Sequence, residues 1–505
     1  MVATTAVTAA LILVAGCGGN DDKKSDGGSD NGGQSTTSAT PSAPTVPSFD
    51  PPKAFSVAAA FPSADYPGRS ALDESQMGIA GQVALIGGYA GLSGRDVANP
   101  NNQWMIPSKA ADTTTVSAAS APMAAKLDGK DVAVVAYAET DKGNGTQKPK
   151  GLIVVHWIDV MSGQKIAEAS IPVSTVEGTG TDAVGTPGIT NAVVDPETGQ
   201  IAIGSGTSGS SSVRSTTLSV YADPKTKKAT LLPGITAAAV HDGVIAGAKP
   251  ASPTQNAQDA MIVLADGASG KITKQIPAKE GVLNPLAGAA KHAYFYGSRY
   301  IDYGQGTSAS AILAVDLATG AVVQTALGYS ENASYSCVAD QAASIVCTGV
   351  VSGSGKSEIM GFDDNTAKKT WGFNSDSGGR VVPTVTAAYH GVVYAKTEAQ
   401  PVMLDAKTGQ DLPSAAPSGS PSSSDTPSSS DTPSSGDTPS SGDTPSDGSS
   451  TSPGNDNADA GLSLYNGKQE SPVAVSPFGG VYRQLPTGYD SSDLESICVF
   501  VKATA

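Results

Sequence analysis

Side chains able to do chemistry are few in this 505-residue chain, which holds four cysteines and four histidines. Cys337 and Cys347 bound a segment that reads as a hairpin centred on Ala342, setting the two thiols opposite one another on adjacent strands. An oxidising compartment allows a disulfide between them where the geometry suits. The alternatives are two buried apolar thiols, or a bridge from Cys498 to either of them. No Cys-x-x-Cys occurs, so neither zinc nor thioredoxin-type redox chemistry is expected. His241, His292 and His390 fall at or near hairpin turns in different stretches of the chain. None has a second ligand nearby at metal-binding spacing, and no metal site is expected. His156 stands beside Trp157 in an apolar run and reads as packed.

The carboxylates follow a pattern. Asp96, Asp159, Asp223, Asp266, Asp316, Asp363 and Asp405 each end an apolar run and open a short turn, as in Ala314-Val315-Asp316-Leu317-Ala318-Thr319-Gly320. An Asp at a turn accepts bonds from backbone N–H groups two residues on, whereas a catalytic carboxylate pair needs only two members placed across a cleft. A structural role is therefore expected for all seven. Asp141-Lys142-Gly143-Asn144-Gly145 lacks the acidic ladder and terminal Glu of a calcium loop. Neither a Gly-x-Ser-x-Gly elbow nor a P-loop stands in a strand–turn–helix context. The expectation is that the chain is not an enzyme and takes no cofactor.

The elements that carry these residues are short strands. Successive Asp turns are 63, 64, 43, 50, 47 and 42 residues apart, the period of a radial or stacked array. A second register interleaves with the first. Prolines at 122, 187, 233, 285, 383 and 472 lead strand–turn–strand units, several with Asp-Gly or Gly-Gly at the turn. Two hairpins per unit make four strands, which is a propeller blade. The expected fold is an all-β, seven-bladed β-propeller of four-stranded blades, in which residues 81–104 and 471–483 share the closing blade. Eight blades is the alternative, because Ser496-Ile497-Cys498-Val499-Phe500-Val501 offers another strand.

Asp363-Asp364-Asn365-Thr366-Ala367-Lys368-Lys369-Thr370-Trp371, and Trp104 at the same distance from Asp96, resemble the repeat of the PQQ-like (quinoprotein-type) β-propeller superfamily, with Ala367 in place of that repeat's Gly. The resemblance spans most of 81–413 and implies a fold. Its dehydrogenases have a Trp in most blades, a vicinal disulfide and a metal site of Glu, Asn and Asp; this chain has three Trp and no adjacent cysteines. Related domains act as scaffolds for envelope proteins or as extracytoplasmic sensors.

The N-terminus carries an address. Ala9 to Ala15 is an apolar core too short to span a bilayer. Val14-Ala15-Gly16-Cys17 resembles the bacterial lipobox, which implies cleavage between Gly16 and Cys17 and lipidation (palmitate among the acyl chains) of Cys17, with two or more chains for stable anchoring. No Lys or Arg precedes Cys17, so the true start is expected upstream of Met1. The division expected is a signal peptide at 1–16, a lipidated Cys and flexible tether at 17–65, blades at 66–413, a disordered Asp-Thr-Pro-Ser insertion at 414–460, and closing strands at 461–505. Net charge is −16, and eight Asp with no Lys, Arg or Glu fall between Gly409 and Gly467. With no basic stripe, nucleic acid is not an expected partner. The expected function is a lipid-anchored lipoprotein on the extracytoplasmic face of the cell membrane. Its propeller would be a non-catalytic binding or scaffold module for a protein or cell-wall polymer of the envelope. The alternative is a PQQ-dependent or carbohydrate-active propeller enzyme.

Overall fold

Short apolar runs closed by Asp-Gly, Asp-x-x-x-Gly and proline cannot extend far before the chain must turn, and they dictate a meander of antiparallel strands. The computed structural model describes residues 46–62, 76–108, 114–143, 146–147, 149, 150–173, 186–208, 216–254, 257–302, 307–329, 333–413, 462–484 and 496–505. Strands fill these residues, with one 3₁₀ turn at Leu462–Leu464 and no α-helix among them. They pair into eight separate sheets. Blades 1 to 7 take residues 77–107, 114–172, 186–233, 236–277, 282–326, 333–374 and 384–412. Blade 8 combines Ala474–Ser476, Gly479–Gln484 and Ile497–Ala503 with Phe55–Pro62. In blade 2 the inner strand is broken into Thr114–Ala119 and Met123–Leu127, both paired with Lys130–Asp141.

The inner strands of successive blades touch in turn, and that of blade 8 returns to blade 1, so the sheets close a ring. The fold is thus a β-propeller with eight blades, the alternative count, and the difference has a simple cause. Seven Asp turns mark seven blades, while in blade 8 that corner is where the chain ends meet: the N–H of Lys53 donates to the carbonyl of Ala505 at 2.5 Å. The ends do share a blade, but not the expected one. Residues 81–104 belong to blade 1, which is complete by itself, so Val83 and Val473 are in different blades. The partner of the C-terminal strands is Phe55–Pro62, paired from Phe55↔Ala503 to Pro62↔Ile497. This corrects the expected tether at 17–65: its last part is the outermost strand of the closing blade, Ala59 and Ala60 being fully buried.

The core lies between blades. A middle strand is covered on both faces by neighbouring blades, so it reads as a continuous apolar run and not as an alternation. Val132 through Ala138 are all at most 1% exposed. Outer strands such as Gln103–Pro107 alternate, with one face to solvent. Around the hub, polar side chains at or beside bulges of the inner strands bond the next blade. Ser117 Oγ donates to the Pro187 carbonyl at 2.7 Å, Asn191 Nδ2 to Ala237 at 2.6 Å, and Thr386 Oγ1 to Pro472 at 2.7 Å.

Candidate ligand-binding face and central channel

The meander gives the ring two unlike faces. Connections from the inner strand to the second, and from the third to the fourth, share one face and are six residues or fewer. The remaining connections, which include 63–76, 173–185, 413–473 and 485–496, join strand ends on the opposite face. The chain joins the ring on the turn face: the N–H of Phe49 donates to Pro477 at 2.7 Å, and Asp50 pairs with His390.

The recurring aspartates lie at turn-face corners. The Asp316 carboxylate accepts the Thr319 N–H at 2.6 Å, the Thr319 hydroxyl at 2.8 Å and the Ala318 N–H at 3.1 Å. Asp159, Asp266 and Asp405 repeat this with Ser162, Ser269 and Thr408. Asp223 accepts from Lys225, Asp363 from Asn365, and the buried Asp96 from Ala98 and Gln82. The bond from the Thr319 N–H, ahead of the other donors, holds the Asp316 carboxyl below the usual carboxylate range.

Three further aspartates, not among those singled out by the repeat, latch blade to blade. Asp195 accepts the Asp242 N–H of blade 4 at 2.9 Å, and Asp340 the Gly391 N–H of blade 7 at 3.0 Å. Asp364 accepts the Lys291 N–H of blade 5 at 2.9 Å. All three are buried. The histidines join this belt: His241 lies 3.4 Å from Asp195, and the buried His292 lies 3.3 Å from Asp364. Asp195-Pro196 at a turn echoes Asp223-Pro224, the one sequence signal that could have flagged a latch; nothing local marks Asp340.

The loop face differs in character. Of the large hydrophobic side chains exposed among the described residues, Tyr89, Val282, Tyr300, Ile301, Val350, Val381 and Leu464 are on this face; Met161, in a turn, and Ile272 and Val322, each the first residue of an outer strand after a turn, are on the other, and Met105 is mid-strand. A groove of about 820 Å³ crosses it between blades 4 and 5, lined by Pro250, Gln258, Val282, Asn284, Arg299 and Tyr300 among others. Arg299 Nη1 donates to Glu280 Oε1 at 2.7 Å. Glu280 is 1% exposed, and its Oε2 has no partner. Tyr296 lines the same groove and stacks on Tyr335 with ring centroids 5.5 Å apart.

At the hub the inner strands of all eight blades line a cavity of about 600 Å³. Ala124, Ala239, Ala287, Ala387 and Gly288 leave the centre open, and Met77, Ile79, Met123, Leu286 and Val338 make it mostly apolar. The disulfide joins Cys337 and Cys347, directly opposite one another in blade 6. Cys498 is a free, buried thiol whose pKa burial pushes up to about 12, which makes it a poor nucleophile. Gly16 and Cys17, the tether up to Thr45, and the Asp-Thr-Pro-Ser segment lie outside the described residues.

Sequence reasoning also missed a polar cluster where blade 2 packs on blade 1. His156 is 4% exposed; its Nε2 lies 3.4 Å from Glu168 Oε2 and its Nδ1 has no partner. Glu139, also 4% exposed, has an unpartnered Oε1. Burial, then the Glu168 carboxylate, pushes the Glu139 pKa up to about 7. Burial, then the Lys165 ammonium, pushes His156 down to about 4.

No family model and no curated protein matches the chain. Solved structures do. The β-propeller domain of the Trilobed protease from Pyrococcus furiosus is similar at 14% identity and a TM-score of 0.33, over 60% of this chain and 84% of that one. A Synechocystis apocarotenoid oxygenase is similar at 12% identity and a TM-score of 0.32, over 58% of this chain and 69% of that one. A chimera built on the same oxygenase gives the same identity and coverage. The expectation that this chain is not an enzyme is corrected by these matches, since oxygenases stand among the similar chains. At this level of identity the likeness extends to the fold alone.

Proposed function

We propose that the protein is a lipid-anchored lipoprotein of the extracytoplasmic membrane face, and that its propeller binds an envelope component through the loop face. The observation that carries this reading is the polarity of the ring. The chain that leads back to Cys17 joins at the turn face, while exposed hydrophobic side chains and the longest connections gather on the other. Val282 and Tyr300 line one groove there, with Ile301 next in the chain, and contiguous exposed apolar surface of this kind marks an interaction site. The lipobox-like Val14-Ala15-Gly16-Cys17 supports the anchor, and the Asp-Thr-Pro-Ser segment, which departs after Leu412 and returns at Leu462, is attached to the binding side.

The test has two arms. Cys17→Ala is expected to move the protein from the membrane to the soluble fraction and to abolish incorporation of labelled palmitate. A photo-crosslinking side chain at Val350 is expected to give adducts with envelope material in intact cells, and one at Met161 none. Wild-type protein found in the soluble fraction, or equal adducts from both faces, would remove the proposal.

A further inference from the structure

We infer that the groove between blades 4 and 5 is a subsite for a neutral sugar chain. This deepens the loop-face reading and rests on it for the place where the polymer is met. The groove's volume, about 820 Å³, falls within the range of ligand pockets. Its chemistry is mixed along its length: the rings of Tyr296 and Tyr300 and the side chain of Val282 beside the amides of Asn284 and Gln258. A pyranose ring has the matching pattern, with an apolar face to cover an aromatic ring and a rim of hydroxyls to pair with amides.

The polar group at the floor is held in place. Arg299 is anchored by Glu280, which is 1% exposed and belongs to the segment joining the two blades. The guanidinium has five N–H donors in a fixed fork, and Glu280 is its one acceptor among the described residues. The rest are left for acceptors that enter the groove, which a line of sugar hydroxyls supplies. The charge of Arg299 is already balanced by Glu280, so an anionic ligand gains little and a neutral one is favoured. Asn284 is exposed and offers both halves of an amide, the group that pairs most readily with a hydroxyl acting as donor and acceptor at once. A protein partner would instead call for a deep apolar anchor pocket, and the lining here alternates polar with apolar.

The test uses the purified full chain and three probes: linear β-1,4 tetrasaccharides of glucose and of N-acetylglucosamine, and a tetragalacturonate as the anionic control. At least one neutral probe is expected to bind with Kd on the order of 0.1–1 mM by calorimetry. Tyr300→Ala and Asn284→Ala are each expected to weaken it about fivefold or more with no change in Tm. Arg299→Ala would leave Glu280 buried without a partner and risks the fold, so Arg299→Lys is the variant of choice. Met161→Ala, on the turn face, is expected to bind as wild type. The inference is overturned if no neutral probe binds at about 10 mM, if tetragalacturonate binds better, or if Tyr300→Ala and Asn284→Ala bind unchanged. A protein adduct from a crosslinker at Tyr300 without sugar binding would likewise overturn it, while leaving the loop-face reading intact.

Discussion

The indole Nε1 of Trp371, on the outer strand of blade 6, donates to the carbonyl of Ala406 in the Asp turn of blade 7 at 2.8 Å. Trp104 does the same three blades further round the ring, from blade 1 to the Val160 carbonyl of blade 2 at 2.7 Å. Each ring is held between two glycines. A Cβ on Gly409 or Gly163, in the turn of the next blade, would come within 2.4 or 2.5 Å of the indole; on Gly361 or Gly94, in its own blade, within 2.1 or 2.3 Å. Gly409 and Gly163 also have φ of +66°, where a Cβ is strained in any case. The Asp, the Gly and the distant Trp are parts of one blade-to-blade joint.

Truncating that joint is expected to be costly. Trp371→Ala should lower stability by about 2–4 kcal/mol, less than for a wholly buried Trp because the ring is partly exposed. Trp371→Phe keeps most of the packing and loses the bond, for about 1–2 kcal/mol. Guanidinium midpoints at constant slope measure both, and a Phe variant as unstable as the Ala one would show that the hydrogen bond, and not the packing of the ring, carries the joint.

Much of the ring was legible because its corners are local. Asp316 and Thr319 satisfy one another within four residues, so a turn of this kind is written in consecutive letters. The same holds for Cys337 and Cys347, which a hairpin must place opposite one another. What stayed hidden depends on distant partners. Ala59 reads as part of a small-residue run until Phe500, its partner across the sheet, is beside it. The eighth corner could not be read because no turn occupies it. The groove was invisible for the same reason: Arg299, Asn284 and Gln258 come from three stretches of chain whose convergence only the ring creates.

The closing strand gives the second prediction. Ala59 is fully buried between blades 8 and 1, among Ile79, Val481 and Phe500. Ala59→Asp puts a carboxylate among these apolar side chains, with an expected cost above about 3 kcal/mol. Amide exchange should report opening first along Ile497–Ala503, which loses its edge partner. Protection lost uniformly over all blades would mean that the ring does not open at this seam.

For the disulfide, a sequence separation of ten residues closes a short loop, and reduction is expected to cost about 2–3 kcal/mol. Cys337→Ala should show the same fall in midpoint and no further change on adding reductant. Cys498→Ala, which touches no bridge, should keep the full response to reductant; loss of that response would point to a different pairing.

The cluster of Glu139 and His156 predicts two opposed pH dependences. Glu139 titrates near 4.5 when unfolded and at about 7 in the fold. Across that window the folded chain retains a proton that the unfolded chain has released, so this group makes stability fall as pH rises. His156 moves from 6.5 down to about 4. Between those values the unfolded chain carries the extra proton, and stability rises with pH. In the wild type the two slopes oppose one another from about pH 4.5 to 6.5. Glu139→Gln removes the falling one, so its stability relative to wild type should climb by about 1–2 kcal/mol between pH 4.5 and 8, a figure reduced for the solvent that reaches the carboxyl. His156→Phe should show the reverse, losing ground against wild type as pH rises from 4 to 6.5. Urea titrations at a series of pH values measure the differences. Flat difference curves for both variants would mean that neither group changes its proton affinity on folding, and that the gap between blades 1 and 2 is wetter than its burial implies.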